Sequence, residues 1–327
     1  MALASGGIEL LQKLQTIPLM KAVRIHGYGG ADVLVYEDAP VPEIAPDEVL
    51  IKVAACGINP IDWKMRKGYA KDRAPISFPF ILGWDVAGTI EKTGVLVANF
   101  KPGDKVFTRN NTSRNGGYAE YVAVRASEIA AAPHSLSLIQ SAGIPLACGT
   151  AWDGLFEQGN LKKGQSVLIH GGSGGVGTFA IQLAKFVGAH VITTTSVKNR
   201  DLVKSLGADE VIDYNAEDFS KKLKDIDLVF DTIGGDTQKR SWGILKKGGT
   251  LVSTVGADDK AAAEYGVKAK SFMLDSNGAR LQEIAAMADL GHIKVIIEKE
   301  FPLSEARAAH ELSEKGHAVG KIILTVI

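Results

Sequence analysis

Ser166-Val167-Leu168-Ile169-His170-Gly171-Gly172-Ser173-Gly174-Gly175-Val176-Gly177 is the stretch on which the reading of this chain turns. An apolar run of strand length enters a glycine cluster, and beyond it Val176, Phe179, Ala180, Leu183 and Val187 recur on one helical face. Gly172, Gly174 and Gly177 fit the G-x-G-x-x-G spacing. In that spacing one glycine permits a tight turn, one lets the backbone approach a pyrophosphate, and one lets helix and strand pack closely. The N-terminus of the helix adds amide donors and the positive end of a dipole, so Ser173, Gly175 and Val176 complete a turn suited to phosphates. Glycines alone would also satisfy the sterics of a tight strand-to-helix turn; the surroundings supply the rest of the argument.

Outward from this turn, Val167–His170, Val191–Thr194, Val211–Asp213, Leu228–Asp231, Leu251–Val255 and Ser271–Leu274 are apolar runs of strand length, most of them separated by helical stretches. Six strands joined by crossovers predict a doubly wound, Rossmann-type parallel sheet over residues 143–274, and a dinucleotide bound at its turn. An NAD-specific site carries an Asp or Glu at the end of the second strand to hold the ribose hydroxyls. Here the residues are Thr193, Thr194, Thr195 and Ser196, followed by Lys198 and Arg200. Hydroxyls and cations suit a 2′-phosphate, which a carboxylate would repel, so the expected cofactor is NADPH. Ile233, Gly234, Val255 and Gly256 end two later strands on the edge where open α/β sheets bind ligands. Phe272 and Met273 end the last one, facing the substrate cleft, a dimer edge or the core.

Residues 20–142 have a different rhythm, with short β-rich runs such as Val49–Ala54, Gly88–Ile90 and Tyr118–Val122 set between Gly, Pro and Asp. They read as an irregular, partly barrel-like β domain. After Asn277 come a helix at Leu281–Leu290, a strand at Val295–Glu298, a helix started by Ser304 as N-cap, and a strand at Lys321–Val326. This 275–327 tail is expected to return to the first domain. Residues 1–19 precede the second methionine as an extension, with Ile8–Leu11 suited to a short amphipathic helix.

The 327 residues are 46% hydrophobic and 23% charged, which fits a folded chain of two domains. Thirty-seven basic residues balance thirty-seven acidic ones, leaving no broad field for nucleic acid or an anionic membrane. With no apolar run of about 20 residues and no secretory pattern, the expectation is a cytoplasmic protein. Cys56 and Cys148 are the only cysteines, which excludes a disulfide framework and suggests small core residues in a reducing compartment.

From Met20 to the C-terminus the chain resembles the zinc-independent quinone oxidoreductase branch of the medium-chain dehydrogenase/reductase superfamily. The resemblance is carried by Gly57-Ile58-Asn59-Pro60-Ile61-Asp62-Trp63-Lys64, Leu82-Gly83-Trp84-Asp85-Val86-Ala87-Gly88 and Gly116-Gly117-Tyr118-Ala119-Glu120-Tyr121. Pro145-Leu146-Ala147 with Thr150-Ala151-Trp152, Gly174–Gly177, Leu206–Asp209 through Asp213-Tyr214, and Gly320-Lys321-Ile322 continue it. It implies a GroES-like catalytic domain beside the Rossmann-type domain, a cleft between them and a homodimer made through the cofactor domains. It also implies that Thr150 lies near the nicotinamide, that Tyr214 lies near the 2′-phosphate, and that Lys321 belongs to the cofactor site. Zinc-dependent relatives have cysteine at Asn59 and Gly-His-Glu at Gly83-Trp84-Asp85; tryptophan cannot ligate zinc, and Phe100–Tyr118 contains no cysteine for a structural zinc lobe. No metal is expected.

Without a metal to stabilise an alkoxide, alcohols are poor substrates. A quinone or α,β-unsaturated carbonyl needs only hydrogen-bond donors at the oxygen that gains charge as hydride arrives. Asn59, Lys64 and Tyr69 are the candidate catalytic donors. Asn59-Pro60 is also an ordinary turn starter, Lys64 an ordinary solvated charge, and Asp62 a candidate helix cap. Two other functions remain open on these residues: an enoyl-thioester reductase of the same superfamily, and a non-catalytic NADPH-binding sensor or structural protein.

Overall fold

The computed structural model describes residues 17–326, so the Ile8–Leu11 segment lies outside the described residues. The first part of the chain forms β1 (Leu19–Ile25), β2 (Leu34–Pro40), β3 (Glu48–Ile58), β4 (Phe80–Ile81), β5 (Asp85–Thr93), β6 (Lys105–Arg109), β7 (Tyr121–Arg125) and β8 (Ile129–Ala131). The middle forms β9 (Ser166–His170), β10 (His190–Thr195), β11 (Glu210–Asp213), β12 (Ile226–Asp231), β13 (Leu245–Ser253) and β14 (Lys268–Ser271). The tail adds β15 (Ile297–Pro302) and β16 (Lys321–Thr325).

Strands β9 to β14 form one six-stranded parallel sheet in the order β11-β10-β9-β12-β13-β14. The order reverses between β9 and β12, and the crevice at such a reversal, beyond the carboxyl ends of the strands, is where this architecture takes ligands. Val167, Leu168 and Ile169 of β9 are all fully buried, as a central parallel strand covered on both faces requires. The following helix, Gly175–Phe186, turns Phe179, Ala180 and Leu183 inward. Burying Phe179 there contributes on the order of 2–3 kcal/mol of transfer free energy.

The other strands form a β2-β1-β4 sheet and a seven-stranded sheet in which β15-β16-β3-β5-β6-β8 run in sequence and β7 pairs with β3. The tail does return to this half: Ile322 of β16 pairs antiparallel with Ile58 of β3. The hydrophobic core crosses between the two halves. Ala55, Ala87, Phe107 and Ile323 belong to the same buried cluster as Ile169, Phe179 and Phe230, joined through Ile144, Ala147 and the helix Gly278–Asp289. A division near residues 142 and 274 therefore marks a change of sheet rather than a gap in the core. Among the described residues no helix is long and apolar enough to cross a membrane.

Four sequence expectations are corrected. The tail strand expected at Val295–Glu298 runs Ile297–Pro302. The last strand of the parallel sheet is Lys268–Ser271, not Ser271–Leu274. It is an edge strand with exposed lysines, and the apolar run that suggested a strand comes after it, where Phe272 packs on the core and Met273 is 84% exposed. Ser304 does not cap a helix: it lies inside a 3-10 turn, Leu303–Glu305, formed as Leu303 is drawn into the core, and the α-helix begins at Ala306. The strand expected at Tyr118 begins at Tyr121, with Ala119 held to β1 by a single bridge to Ala22.

Candidate active site between the two sheets

The turn after β9 assigns its glycines separate duties. Gly171 has φ of +73°, the left-handed conformation that closes the turn. A Cβ on Gly172 would stand 2.0 Å from Thr193 Oγ1, and one on Gly177 would stand 2.2 Å from the Gly171 carbonyl oxygen. Those two positions are glycine because the turn packs against β10 and against itself. A Cβ on Gly174 would have only the Gly171 oxygen nearby, at 3.4 Å, so the space beside this residue is open at the start of the helix, the end of a helix that suits a phosphate. Ser173 Oγ accepts hydrogen bonds from Thr195 Oγ1 at 2.9 Å and Asn199 Nδ2 at 3.0 Å, tying the turn to the end of β10. Val176 is half-buried against the core.

At the end of β10, Ser196 leads into a 3-10 turn containing Lys198, which is exposed, and Arg200 starts the helix Arg200–Ser205. The Tyr214 backbone amide reaches the Thr195 carbonyl at 3.3 Å, so Tyr214, half-exposed, is anchored beside this strand end. The structure thus gathers Ser196, Arg200 and Tyr214 from two adjacent strands. It also adds an acid that spacing did not reveal: Glu217 Oε1 lies 3.7 Å from Arg200 Nη2. Glu217 is further engaged by the Asp213 amide and by Lys222.

Asp231, at the end of β12, was missed by the sequence reading. It is fully buried; Oδ1 accepts from the amides of Ile233 and Gly234 at 2.9 and 2.8 Å, and Oδ2 accepts from Gln238 and Ser253 at 2.8 and 3.0 Å. Gln238 also donates to the Gly256 carbonyl at 2.7 Å. One carboxylate therefore holds both loops that present Ile233 and Val255, which are 55% and 46% exposed at the ligand edge. The signal available in sequence was an aspartate two residues before Ile233 at a strand end, an arrangement that favours side-chain bonds to the next amides.

On the other side of the cleft, Asn59 precedes the helix Pro60–Arg66 and is 2% exposed. Its Nδ2 donates to Asp85 Oδ2 at 2.9 Å, and its Oδ1 accepts from the Lys321 ammonium. The amide nominated as a donor to substrate is thus engaged inside the protein. Lys321, 3% exposed, also donates to the Ile58 carbonyl at 3.1 Å and lies 3.5 Å from Asp85 Oδ2, so its charge faces the catalytic half rather than the phosphate turn. Asp85 Oδ1 accepts from the Leu146 amide at 2.8 Å, in the first turn of the helix Pro145–Trp152 that carries the buried Thr150. Burial pushes the Asp85 carboxyl up, and the Lys321 charge opposes that push. Lys64 lies half-buried with its ammonium 5.6 Å from the Trp63 ring, and Tyr69 is 65% exposed, edge-on to the same ring at 6.2 Å.

Zinc does not fit these residues. Trp84 is fully buried with its indole N–H directed to the Arg114 carbonyl, and a dication beside Asn59 and Asp85 would face the fixed Lys321 ammonium. Among the described residues no three His, Cys, Asp or Glu side chains converge as a metal site. Cys56 and Cys148 are both buried, and desolvation raises both thiols.

A buried chain of polar groups backs Asn59. Asp62 Oδ2 accepts from the Asn59 amide at 2.9 Å, as a helix cap, and from the Tyr118 hydroxyl at 2.7 Å. His310 Nε2 lies 3.0 Å from that hydroxyl, and its Nδ1 lies 3.1 Å from Arg66. Burial raises Asp62 to about 7 and, with Arg66 adding to it, lowers His310 to about 3; burial also lowers His170, held between Thr194 and Ser241, to about 4. The histidines stay neutral when folded but take a proton when unfolded below about pH 6.5, so their contribution is lost as pH falls from there towards 4. Asp62 works oppositely, since unfolding releases its proton between about pH 4 and 7. Asp153, raised by burial to about 6, acts in the same sense as Asp62, so the histidine share has to be isolated by substitution: the stability that His310→Gln removes in denaturant unfolding should be smaller at pH 4 than at pH 6.5. A loss that does not change with pH would mean the His310 ring is not held neutral in the fold.

Two domain families match the chain: residues 45–134 fit the alcohol dehydrogenase GroES-like domain and residues 206–324 a zinc-binding dehydrogenase domain. With the doubly wound sheet and its turn, they define a two-domain oxidoreductase of the medium-chain type with a nicotinamide cofactor. Mitochondrial NAD(P)H oxidoreductase RTN4IP1 of Danio rerio is 38% identical over 94% of this chain and 92% of its own. The chloroplastic NADPH-dependent alkenal/one oxidoreductase of Arabidopsis thaliana is 37% identical over 98% of this chain and 83% of its own. The solved quinone oxidoreductase of Coxiella burnetii superposes with a TM-score of 0.89 at 37% identity, covering 95% of this chain and all of that one. The chain belongs to the quinone oxidoreductase branch of the medium-chain dehydrogenase/reductase superfamily.

Proposed function

We propose that this protein is an NADPH-dependent reductase of quinones or α,β-unsaturated carbonyls that works without a catalytic metal. The observation that carries the cofactor choice is the end of β10: it has no carboxylate of its own, Ser196 and Arg200 follow it in the chain with Lys198 exposed between them, and the Tyr214 backbone is bonded to it. A 2′-phosphate is a better guest than ribose hydroxyls for such a set, with Arg200 held only loosely, 3.7 Å from Glu217. The Lys321 ammonium beside Asp85 supports metal-free chemistry, since it supplies the positive charge that the buried carboxylate needs.

The bound cofactor supplies hydride; the protein's part is to hold it and to meet the charge that forms on the substrate oxygen. With the Asn59 amide engaged by Asp85, we assign that hydrogen bond to Tyr69, whose exposed phenol follows the Asn59 helix, with Lys64 on the same segment as the second donor. Steady-state NADPH oxidation tests the whole reading with quinones, alkenals and enoyl thioesters side by side. Quinones or alkenals should be consumed, with turnover unchanged by chelators, and Tyr69→Phe should lower kcat by about tenfold or more. Preference for enoyl thioesters would overturn the substrate class, stoichiometric zinc on elemental analysis the metal-free mechanism, and binding without any turnover the enzymatic reading.

A further inference from the structure

Lys321 belongs to two parts of the molecule at once. The residue before it, Gly320, has φ of +73° and donates its amide to the Ser173 carbonyl at 2.8 Å, making a parallel bridge with Gly174 of the phosphate turn. A side chain on Gly320 is excluded, because its Cβ would stand 2.2 Å from the Ile296 carbonyl oxygen. The aliphatic stem of Lys321 passes Gly175, with Cδ 3.2 Å from where a Cβ of Gly175 would be. Its ammonium then enters the catalytic half, among Asn59, the Ile58 carbonyl and Asp85. Asp85 in turn holds the first turn of the Pro145–Trp152 helix through the Leu146 amide. The phosphate turn, the helix bearing Thr150 and the Asn59 segment thus converge on one ion pair that is 3% exposed at the lysine and fully buried at the aspartate.

We propose that Lys321 is a positioning residue: its pairing with Asp85 sets the distance between the cofactor turn and the catalytic half, and through that distance the affinity for the nicotinamide cofactor. The proposal rests on the nicotinamide-cofactor reading of the turn. It assigns the lysine no contact with the cofactor phosphates, because its ammonium already donates to Asn59 and Ile58 and lies 3.5 Å from Asp85 Oδ2. Removing the cation alone leaves a buried, unpaired carboxylate, which displaces the groups around it; neutralising both partners leaves the surroundings closer to their original state.

Four proteins decide the matter: wild type, Lys321→Met, Asp85→Asn and the double variant. NADPH affinity is measured by fluorescence titration well below each melting temperature, with the quinone KM as a second readout. Lys321→Met and Asp85→Asn should each weaken NADPH tenfold or more while changing the quinone KM less than threefold, and the double variant should be weakened no further than the worse single variant, because both changes break one pair. A folded Lys321→Met protein with wild-type NADPH affinity would overturn the proposal, as would additive losses in the double variant, or Asp85→Asn with wild-type affinity, the result expected if the ammonium, still present, touched the cofactor itself. Should Lys321→Met fail to fold, Asp85→Asn decides, since a tenfold loss supports the proposal and wild-type affinity overturns it. Wild-type protein that binds neither NADPH nor NADH would overturn the cofactor reading and this inference with it; every other negative result falls on Lys321 alone.

Discussion

Alanine at Gly177 is expected to lower NADPH affinity by at least a hundredfold and to reduce stability as well. The added Cβ would meet the Gly171 carbonyl oxygen at 2.2 Å and the Gly172 Cα at 2.7 Å, and both are backbone atoms that no rotamer change can move. Relief requires the helix Gly175–Phe186 to lift from the turn, or the turn to open. Either movement shifts the amides that face a phosphate, and hydrogen bonds to a charged oxygen weaken steeply with displacement. The same lift loosens Phe179, Ala180 and Leu183, so a cost of about 2–4 kcal/mol in denaturant unfolding should accompany the lost binding. Gly174→Ala provides the contrast. Its Cβ has room at 3.4 Å from the nearest atom, so the fold should survive while the methyl group occupies the space a phosphate needs. Equal melting temperatures for wild type and Gly177→Ala would contradict the packing argument, and retained NADPH affinity in both variants would contradict the placement of the phosphate.

Replacing Lys198 and Arg200 together with alanine should weaken NADPH by about 30- to 100-fold while changing NADH less than threefold, a difference of roughly 2–3 kcal/mol carried by the 2′-phosphate. Lys198 is exposed and makes a modest, salt-sensitive contribution. Arg200 should dominate, because its side chain is 38% exposed and its planar guanidinium can grip a phosphate with two parallel hydrogen bonds. Removing Arg200 also leaves Glu217 facing the site with Lys222 as its remaining cation, so a negative charge that was balanced becomes repulsive to a phosphate. Titrating both cofactors against the variant separates the possibilities: equal losses for NADPH and NADH would sink the 2′-phosphate assignment.

The parallel sheet was legible because its central strands are covered on both faces, which writes them into the sequence as apolar runs such as Val167–Ile169. Its edge was not. Strand β14 has one open side and keeps its lysines exposed, so hydrophobicity pointed to the run after it. The turn was legible for a similar reason, since steric exclusion leaves only glycine at Gly172 and Gly177. The Lys321, Asp85 and Asn59 cluster could not be read from spacing, because its members come from three segments brought together only when β16 pairs with β3. Asn59 shows the limit: residue type gave an available amide, whereas the fold supplies it with a partner. Asp231 shows the converse, a residue without a motif whose carboxylate holds two loops of the ligand edge.

The core shared by the two sheets has a consequence for how this chain can be divided and recombined. Ala87 and Phe107 are buried in the same cluster as Phe179 and Phe230, so a cut at either change of sheet would leave both fragments with an exposed apolar wall. The halves should therefore unfold in one cooperative transition rather than as interchangeable modules. A chimera that exchanges the cofactor half with a relative's must bring along matching side chains on the helix Pro145–Trp152 and on Gly278–Asp289, because the seam runs through those helices.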